Sequence, residues 1–288
     1  MKVLITGAGG FIGSQLALRY SQHNHQVFAI CRSTVPEKLK QKNITIINTD
    51  LAESTDLLPP ADLVIHGAAQ THLDPLATTA SYTRNNIQAS LNMAHYLKNN
   101  PPQCLINLST LSVYGTVNTS TLTEEQPLNA PNSYGSSKYF CEQIMQELSS
   151  TIPTLSIRLP GVIAQHYFEP WLGRTLQAMF KNENITFYNG HCRFNNVMNI
   201  KGIYRLISDV LTSRHTGYAL VNLAASQALS LTDLVTKMLH WTDSQSIITN
   251  TKSEQQSFSI DTQKLQRLFL HTPQTTEDIV HNYIISNQ

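Results

Sequence analysis

Val3-Leu4-Ile5-Thr6-Gly7-Ala8-Gly9-Gly10-Phe11-Ile12-Gly13-Ser14-Gln15-Leu16-Ala17-Leu18-Arg19-Tyr20 stands at the head of the chain. Its first three residues form a short apolar run of the kind that makes a buried strand. A glycine-rich turn follows, and then a helix-like stretch. That order suits a dinucleotide phosphate: glycines permit a tight turn and close backbone approach, and the helix N-terminus then faces the pyrophosphate. The glycines are spaced Gly7-x-x-Gly10-x-x-Gly13, with three residues per step.

Further along, apolar strand-like runs recur at Val27–Ile30, Ile44–Ile47, Leu63–Ile65, Cys104–Leu108 and Leu155–Leu159. Helical patterns such as Ser81–Leu97 and Ser136–Leu148 lie between them. Strands alternating with helices imply a parallel sheet covered on both faces. The expected fold is therefore α/β, a doubly wound parallel sheet of Rossmann type with six strands. After Pro160 the rhythm loosens. Leu220-Val221-Asn222-Leu223 reads as a strand, Ser230 as a helix cap, and Thr276–Ile285 as a closing helix. We expect a dinucleotide-binding domain over 1–165. Residues 166–288 should form a smaller substrate-binding part, some of it returning to the main sheet.

Composition narrows the function classes. The chain has 288 residues, 41% of them hydrophobic, which is enough for a large core. A net charge of +1 makes no case for nucleic acid or an anionic membrane as partner. No apolar run approaches the ~18 residues of a membrane span, and Met1-Lys2 leads straight into the first strand, so a cytoplasmic protein is expected. Cys31, Cys104, Cys141 and Cys192 are far apart, with no histidine at ligand spacing. They read as buried or half-buried thiols, and no metal is expected.

Tyr134 and Lys138 carry the chemistry. A phenol and an ammonium four residues apart share one helix face. An ordinary tyrosine titrates at about 10, and a neighbouring cation should favour its phenolate, bringing proton transfer within reach of neutral pH.

With these motifs in order, the chain resembles the extended short-chain dehydrogenase/reductase family, in its branch of nucleotide-sugar epimerases, dehydratases and reductases. The resemblance implies that Gly7, Gly10, Phe11, Ile12 and Gly13 form the cofactor loop. It places Asp50-Leu51 by the adenine, Ala68 and Ala69 by the phosphates, and Asn86 on the helix that presents an amide to the site. In Ser109-Thr110-Leu111-Ser112-Val113-Tyr114-Gly115 it makes Thr110 the hydroxyl that works with Tyr134. Lys138 would also reach the nicotinamide ribose, and Pro160 would face the nicotinamide. Thr71, Arg193 and Asn195 fall on the substrate side. His66 is expected as a packed imidazole at a strand end. His72 and His166 are either site-facing or plain surface residues, and Phe168 and Trp171 are expected to pack the core or lid, with lining of a substrate pocket as the alternative. The family also implies a homodimer built from the Asn86-bearing and Tyr134-bearing helices.

Three departures shape the expectation. The end of the second strand carries Cys31-Arg32-Ser33 where an acid would bond an NAD ribose. A guanidinium there suits a 2′-phosphate, so NADP(H) is expected over NAD(H), with Arg32 and Ser33 as contacts. Thr110-Leu111-Ser112 lacks the Asp-Glu pair of 4,6-dehydratases, which leaves epimerase and reductase. Asn195-Asn196-Val197-Met198-Asn199 lacks the acidic pair of many sugar-nucleotide relatives. The expected activity is epimerisation of a nucleotide-activated sugar at C4. Reduction of a keto-sugar nucleotide is the rival, and a cofactor-binding protein without turnover is the third reading.

Overall fold

A computed structural model describes residues 1–33, 35–253 and 258–288. The central sheet has seven strands: β1 (Lys2–Thr6), β2 (Gln26–Cys31), β3 (Ile44–Asn48), β4 (Leu63–His66), β5 (Cys104–Thr110), β6 (Thr154–Leu159) and β7 (Tyr218–Asn222). Their order across the sheet is β7-β6-β5-β4-β1-β2-β3, and the sheet is parallel. This is the doubly wound arrangement expected from the alternation. The order reverses between β1 and β4, whose C-terminal ends therefore open onto the crevice where such sheets bind ligands.

The strands are apolar runs because both faces are covered. All of β4 and β6 is buried, as are four of five residues of β1. Edge strand β3 is only partly buried. One face packs Leu4, Val64 and Leu105 against Met93, Leu97, Met145 and Leu148 of the covering helices. Leu97 is fully buried there, and truncating it to alanine should cost about 2–5 kcal/mol. The sheet exceeds the expected six strands by one. Tyr218–Asn222 is a strand, as its sequence suggests, but it lies outside β6 in the main sheet.

Three helices matter for the site: α1 (Phe11–Gln22), α2 (Ala89–Asn99) and α3 (Ser133–Gln146). Helix α2 continues a shorter stretch, Thr79–Tyr82 and then Thr83–Gln88, the latter wound as a π-helix. Asn132 caps α3, its Oδ1 accepting from Gly135 N at 2.8 Å. A side chain at Gly135 would collide with the Ser112 carbonyl oxygen, so glycine lets α3 start hard against the strand end that carries Thr110.

The chain divides into two interleaved units. The first comprises Met1–Thr116, Pro127–Arg158 and Ile207–Val221, and the second Val117–Gln126, Leu159–Leu206 and Asn222–Gln288. Short strand pairs build the second unit. Gly161–Ile163 pairs with Val197–Asn199 and Ile185–Tyr188 with Ile248–Thr251, both in parallel, while Arg193–Phe194 runs antiparallel to Leu229–Ser230. Ser230 caps the helix Leu231–Thr242, which packs on Thr276–Ile285.

Candidate active site

At the reversal point, Gly7 adopts φ +70, and a Cβ on it would lie 2.7 Å from the Gly67 oxygen. The β1 turn can approach the residues after β4 this closely only because Gly7 lacks a side chain. Helix α1 then begins at Gly10 with no side-chain cap and no acidic residue in its first turn. Its positive end is thus left for an anion.

Tyr134, in the first turn of α3, is 9% exposed. Its ring lies 5.4 Å from that of His72 and 5.8 Å from that of Tyr82. The Thr110 hydroxyl, which donates to Ser112 Oγ at 3.2 Å, lies near enough to the Tyr134 phenol to favour its ionised form. Thr110 also caps the following 3-10 turn, accepting from Ser112 N at 3.2 Å. Burial pushes the Tyr134 phenol up to about 12, and the nearby Thr110 hydroxyl only partly opposes this. In the chain alone, burial outweighs whatever the Lys138 charge does for this phenol. The Lys138 charge also reaches His66, whose imidazole burial and then Lys138 hold down to about 3. Desolvation decides the outcome for Tyr134.

Lys138 itself is 2% exposed and makes no ion pair or hydrogen bond with another described residue. A buried ammonium with nothing to neutralise it is costly unless a ligand supplies acceptors. Together with the glycine turn and the uncapped α1, it fits a bound dinucleotide.

A match to the NAD dependent epimerase/dehydratase family covers residues 3–188. The chain belongs to that family. Among its relatives, a dTDP-D-glucose 4,6-dehydratase of Dictyostelium discoideum is 25% identical over 83% of this chain and 62% of its own length. A UDP-glucose 4-epimerase of Bacillus subtilis (strain 168) is 26% identical over 59% of this chain and 53% of its own. The chain thus spans from about half to just under two-thirds of the length of these relatives. Solved structures share the fold. MoeE5 in complex with UDP-glucuronic acid and NAD superposes with TM-score 0.82 at 20% identity, covering 99% of this chain and 98% of that one. UDP-glucuronic acid 4-epimerase from Bacillus cereus in complex with NAD gives 0.80 at 21% identity, covering 99% and 96%.

Other family positions fall as follows. Asn86 is fully buried on the π-helical segment. Its Oδ1 accepts from Gln70 N at 2.7 Å, and its Nδ2 donates to Gln70 O at 3.1 Å and Ser137 Oγ at 2.9 Å. All its amide hydrogens are used within the protein, so it ties the loop after Ala69 to α3. π-bulges often mark functional sites, and this one points Asn86 at Gln70. Asp50 accepts from Ala52 N at 3.0 Å and from Arg84 at 2.9 Å. Burial alone would raise its carboxyl, yet these bonds and the charges of Arg84 and Arg32 hold it below the usual range. Arg32 and Ser33 are exposed, and Arg32 forms no ion pair among the described residues. Thr71 is also exposed.

Two expected contact residues have their side chains engaged within the protein. The Leu51 side chain sits in the core cluster with Met93 and Leu97, and its carbonyl accepts from Asn92, so its apolar bulk serves packing. Asn195 is 4% exposed, with Nδ2 donating to Ala225 O and Ile260 O, both at 2.8 Å, and Oδ1 accepting from Ile260 N at 2.8 Å. It staples three segments of the second unit, and both amide hydrogens are spent. In that unit Arg193 is exposed, Pro160 is half-buried, and Trp171 packs edge-on against Phe194.

Sequence reasoning passed over Glu142 and Ser109. Glu142 lies one turn beyond Lys138 and is fully buried; it accepts from Ser109 Oγ at 2.5 Å and from Arg158 at 3.0 and 2.7 Å. The spacing Lys138 to Glu142 was a usable signal, because it puts the carboxylate on the same inward face of α3. The side-chain contact of His72 with Tyr134 had no such signal, since it depends on a loop. Among the described residues there is no cluster of metal-ligating side chains.

Proposed function

We propose that this chain is an oxidoreductase that epimerises a nucleotide-activated sugar, taking and returning a hydride at C4 with Tyr134 as acid and base. The observation that carries this is the buried, unpaired Lys138 ammonium on the same helix face as Tyr134, with the Thr110 hydroxyl beside that phenol. Relatives that are UDP-glucose 4-epimerases, and neighbours holding UDP sugars, support the substrate class.

Bound nicotinamide supplies the hydride acceptor and, when oxidised, a positive charge that favours the Tyr134 phenolate. The chain's own residues do the rest. Lys138 holds the ribose and adds a second cation. Thr110 and Tyr134 both bond the reacting sugar oxygen and so fix its orientation. Tyr134 draws the hydroxyl proton away and later gives it back. Asn86 keeps the loop after Ala69 in place, and Arg193 meets the substrate diphosphate.

Arg32 and Ser33 select the 2′-phosphate of NADP(H), on the ground that an exposed guanidinium without an ion pair among the described residues ends β2 where an acid would serve NAD. The family is NAD dependent and the neighbours hold NAD, so this preference is the chain's own. Helices α2 and α3 expose Leu91 and Phe140, at 46% and 54%, which suits pairing into a homodimer; sedimentation as a monomer would remove that assignment. All four cysteines are unpaired, as suits a reducing cytoplasm. No described helix is long and apolar enough to cross a membrane.

A second reading, reduction of a keto-sugar nucleotide, is favoured by one observation. A phenol at about 12 is protonated at neutral pH, the form a reduction needs at its start. Incubating the protein with a panel of nucleotide sugars and catalytic NADP+ or stoichiometric NADPH separates them. Sugar inversion without net change in nicotinamide absorbance supports epimerisation, and one NADPH consumed per turnover supports reduction. Tight NADPH binding with neither outcome, and no effect of Tyr134→Phe, leaves a binding protein.

A further inference from the structure

We propose that His66 is a positioning residue: as the neutral Nε2–H tautomer it carries a one-way chain of hydrogen bonds from Thr6, at the dinucleotide turn, to Cys141 on the Tyr134 helix. This rests on the dinucleotide-binding reading above.

Thr6 and His66 end β1 and β4 and face each other in register across the point where the strand order reverses. Thr6 Oγ1 accepts from the backbone N–H groups of Gly67 and Ala68, both at 3.1 Å. A hydroxyl has two lone pairs and one hydrogen, so both lone pairs are taken. Its 2.9 Å contact with His66 Nδ1 must then be a donation from the hydroxyl. Nδ1 is therefore bare, and the ring proton sits on Nε2, which donates to Ser90 Oγ at 3.0 Å. Ser90 passes its own hydrogen to Cys141 Sγ at 3.2 Å, and the Cys141 thiol donates to the Asn86 carbonyl at 3.4 Å.

Every donor in this chain points the same way. Reversing the bond at Thr6 would strip an acceptor from Gly67 or Ala68, and protonating Nδ1 would do the same. Burial and the Lys138 charge oppose the imidazolium as well. Thr6, His66 and Ser90 are fully buried and Cys141 is 1% exposed, so water cannot substitute for a missing partner. One end of the chain fixes the backbone on which Gly7 rests. The other lies between Lys138 and Glu142 on α3. The imidazole thus holds the cofactor turn and the catalytic helix to one relative position.

Two measurements on the full chain test this. Long-range proton–nitrogen spectra of protein labelled with 15N-histidine should show His66 as the Nε2–H tautomer, without titration between about pH 8 and about pH 5. His66→Asn, or a shift caused by Ser90→Ala, identifies its signal among the eleven histidines. A Nδ1–H tautomer, or a midpoint near an ordinary histidine's, overturns the proposal. Second, Cys141→Ala should weaken NADPH binding by about three- to tenfold, the size of one lost buried hydrogen bond, and Cys141→Ser, which keeps a donor, should restore it. A purely structural chain would lower thermal stability in Cys141→Ala while leaving the NADPH dissociation constant at the wild-type value, and that result also overturns the proposal. Failure of the wild type to bind any nicotinamide dinucleotide would instead remove the parent reading.

Discussion

Glu142 grips Arg158 through two hydrogen bonds, Nε to Oε1 at 3.0 Å and Nη2 to Oε2 at 2.7 Å, with both side chains out of water. The pair joins helix α3 to strand β6, and the same carboxylate accepts from Ser109, the neighbour of Thr110. The Arg158 guanidinium also lies 4.5 Å over the Tyr114 ring. Removing one partner leaves an uncompensated buried charge. Glu142→Gln should therefore cost about 3–5 kcal/mol, whereas Glu142→Met combined with Arg158→Met should recover most of it. Urea unfolding of the three variants checks this. A double variant no more stable than the single one would mean that the charges are not the issue.

Tyr134→Phe removes the hydroxyl proposed to transfer the proton but keeps the ring against His72 and Tyr82. Turnover should fall by about 10²–10⁴, with dinucleotide affinity and thermal stability near wild type. In the chain alone the phenol should remain neutral well past pH 10, because burial raises it. Binding of oxidised cofactor should bring the ionisation down. Ultraviolet titration of tyrosinate, wild type against Tyr134→Phe, with and without NADP+, reads both effects.

Much of this architecture is legible in the chain because its strands are short, wholly apolar and separated by helices. Val3–Ile5, Leu63–Ile65 and Cys104–Leu108 all fall inside observed strands. Ser230 caps its helix and Thr276–Ile285 is the closing helix, both as read from the sequence. What escapes is whatever depends on a partner distant in sequence. Tyr218–Asn222 carries a strand's pattern but nothing that says which sheet it joins. The π-helical turn at Thr83–Gln88 has the same periodic residues as an α-helix. The spacing of Tyr134 and Lys138 shows that they share a face, but not how deeply burial sets the phenol. Asn195 stands in a stretch that aligns with substrate contacts, and only the positions of Ala225 and Ile260 reveal that its amide is occupied.

Acid should destabilise this protein earlier than its carboxylates alone would require. His66 is held at about 3 in the folded chain against 6.5 when exposed. The unfolded chain therefore binds one more proton as pH drops below about 6.5, and stability is lost progressively from there toward about 3. The slope from this residue is about 1.4 kcal/mol per pH unit within that window. Urea midpoints at about pH 6 and pH 5 precede most carboxylate titration. His66→Asn should be less stable at neutral pH but show a shallower decline. An unchanged slope would place the acid sensitivity elsewhere, with His25 and His215, also lowered by burial, the first to examine.

The proposed preference for NADP(H) rests on one exposed side chain, Arg32. Arg32→Ala should weaken NADPH binding by about tenfold or more, as expected for the loss of a charge-assisted phosphate contact, and leave NADH nearly unchanged. Arg32→Asp should go further and favour NADH, since a carboxylate repels a phosphate and accepts from a ribose hydroxyl. Fluorescence titration of both reduced dinucleotides gives the ratio. Wild-type protein that binds NADH as tightly as NADPH would end the preference argued from this position.

Asn195 offers a clean separation of two roles. If its amide is a staple, Asn195→Ala leaves the Ile260 N–H and the Ala225 and Ile260 carbonyls without partners in a buried place. Each unmade bond of that kind costs about 1–3 kcal/mol, though some will be recovered by relaxation. The variant should then unfold at distinctly lower urea, while its apparent KM for whichever nucleotide sugar is turned over stays within about twofold. The opposite pattern, a raised KM at unchanged stability, would return Asn195 to the substrate. Arg193, two residues earlier and exposed, should behave inversely: Arg193→Ala should raise KM by about tenfold or more through the lost phosphate contact and leave the unfolding midpoint where it was.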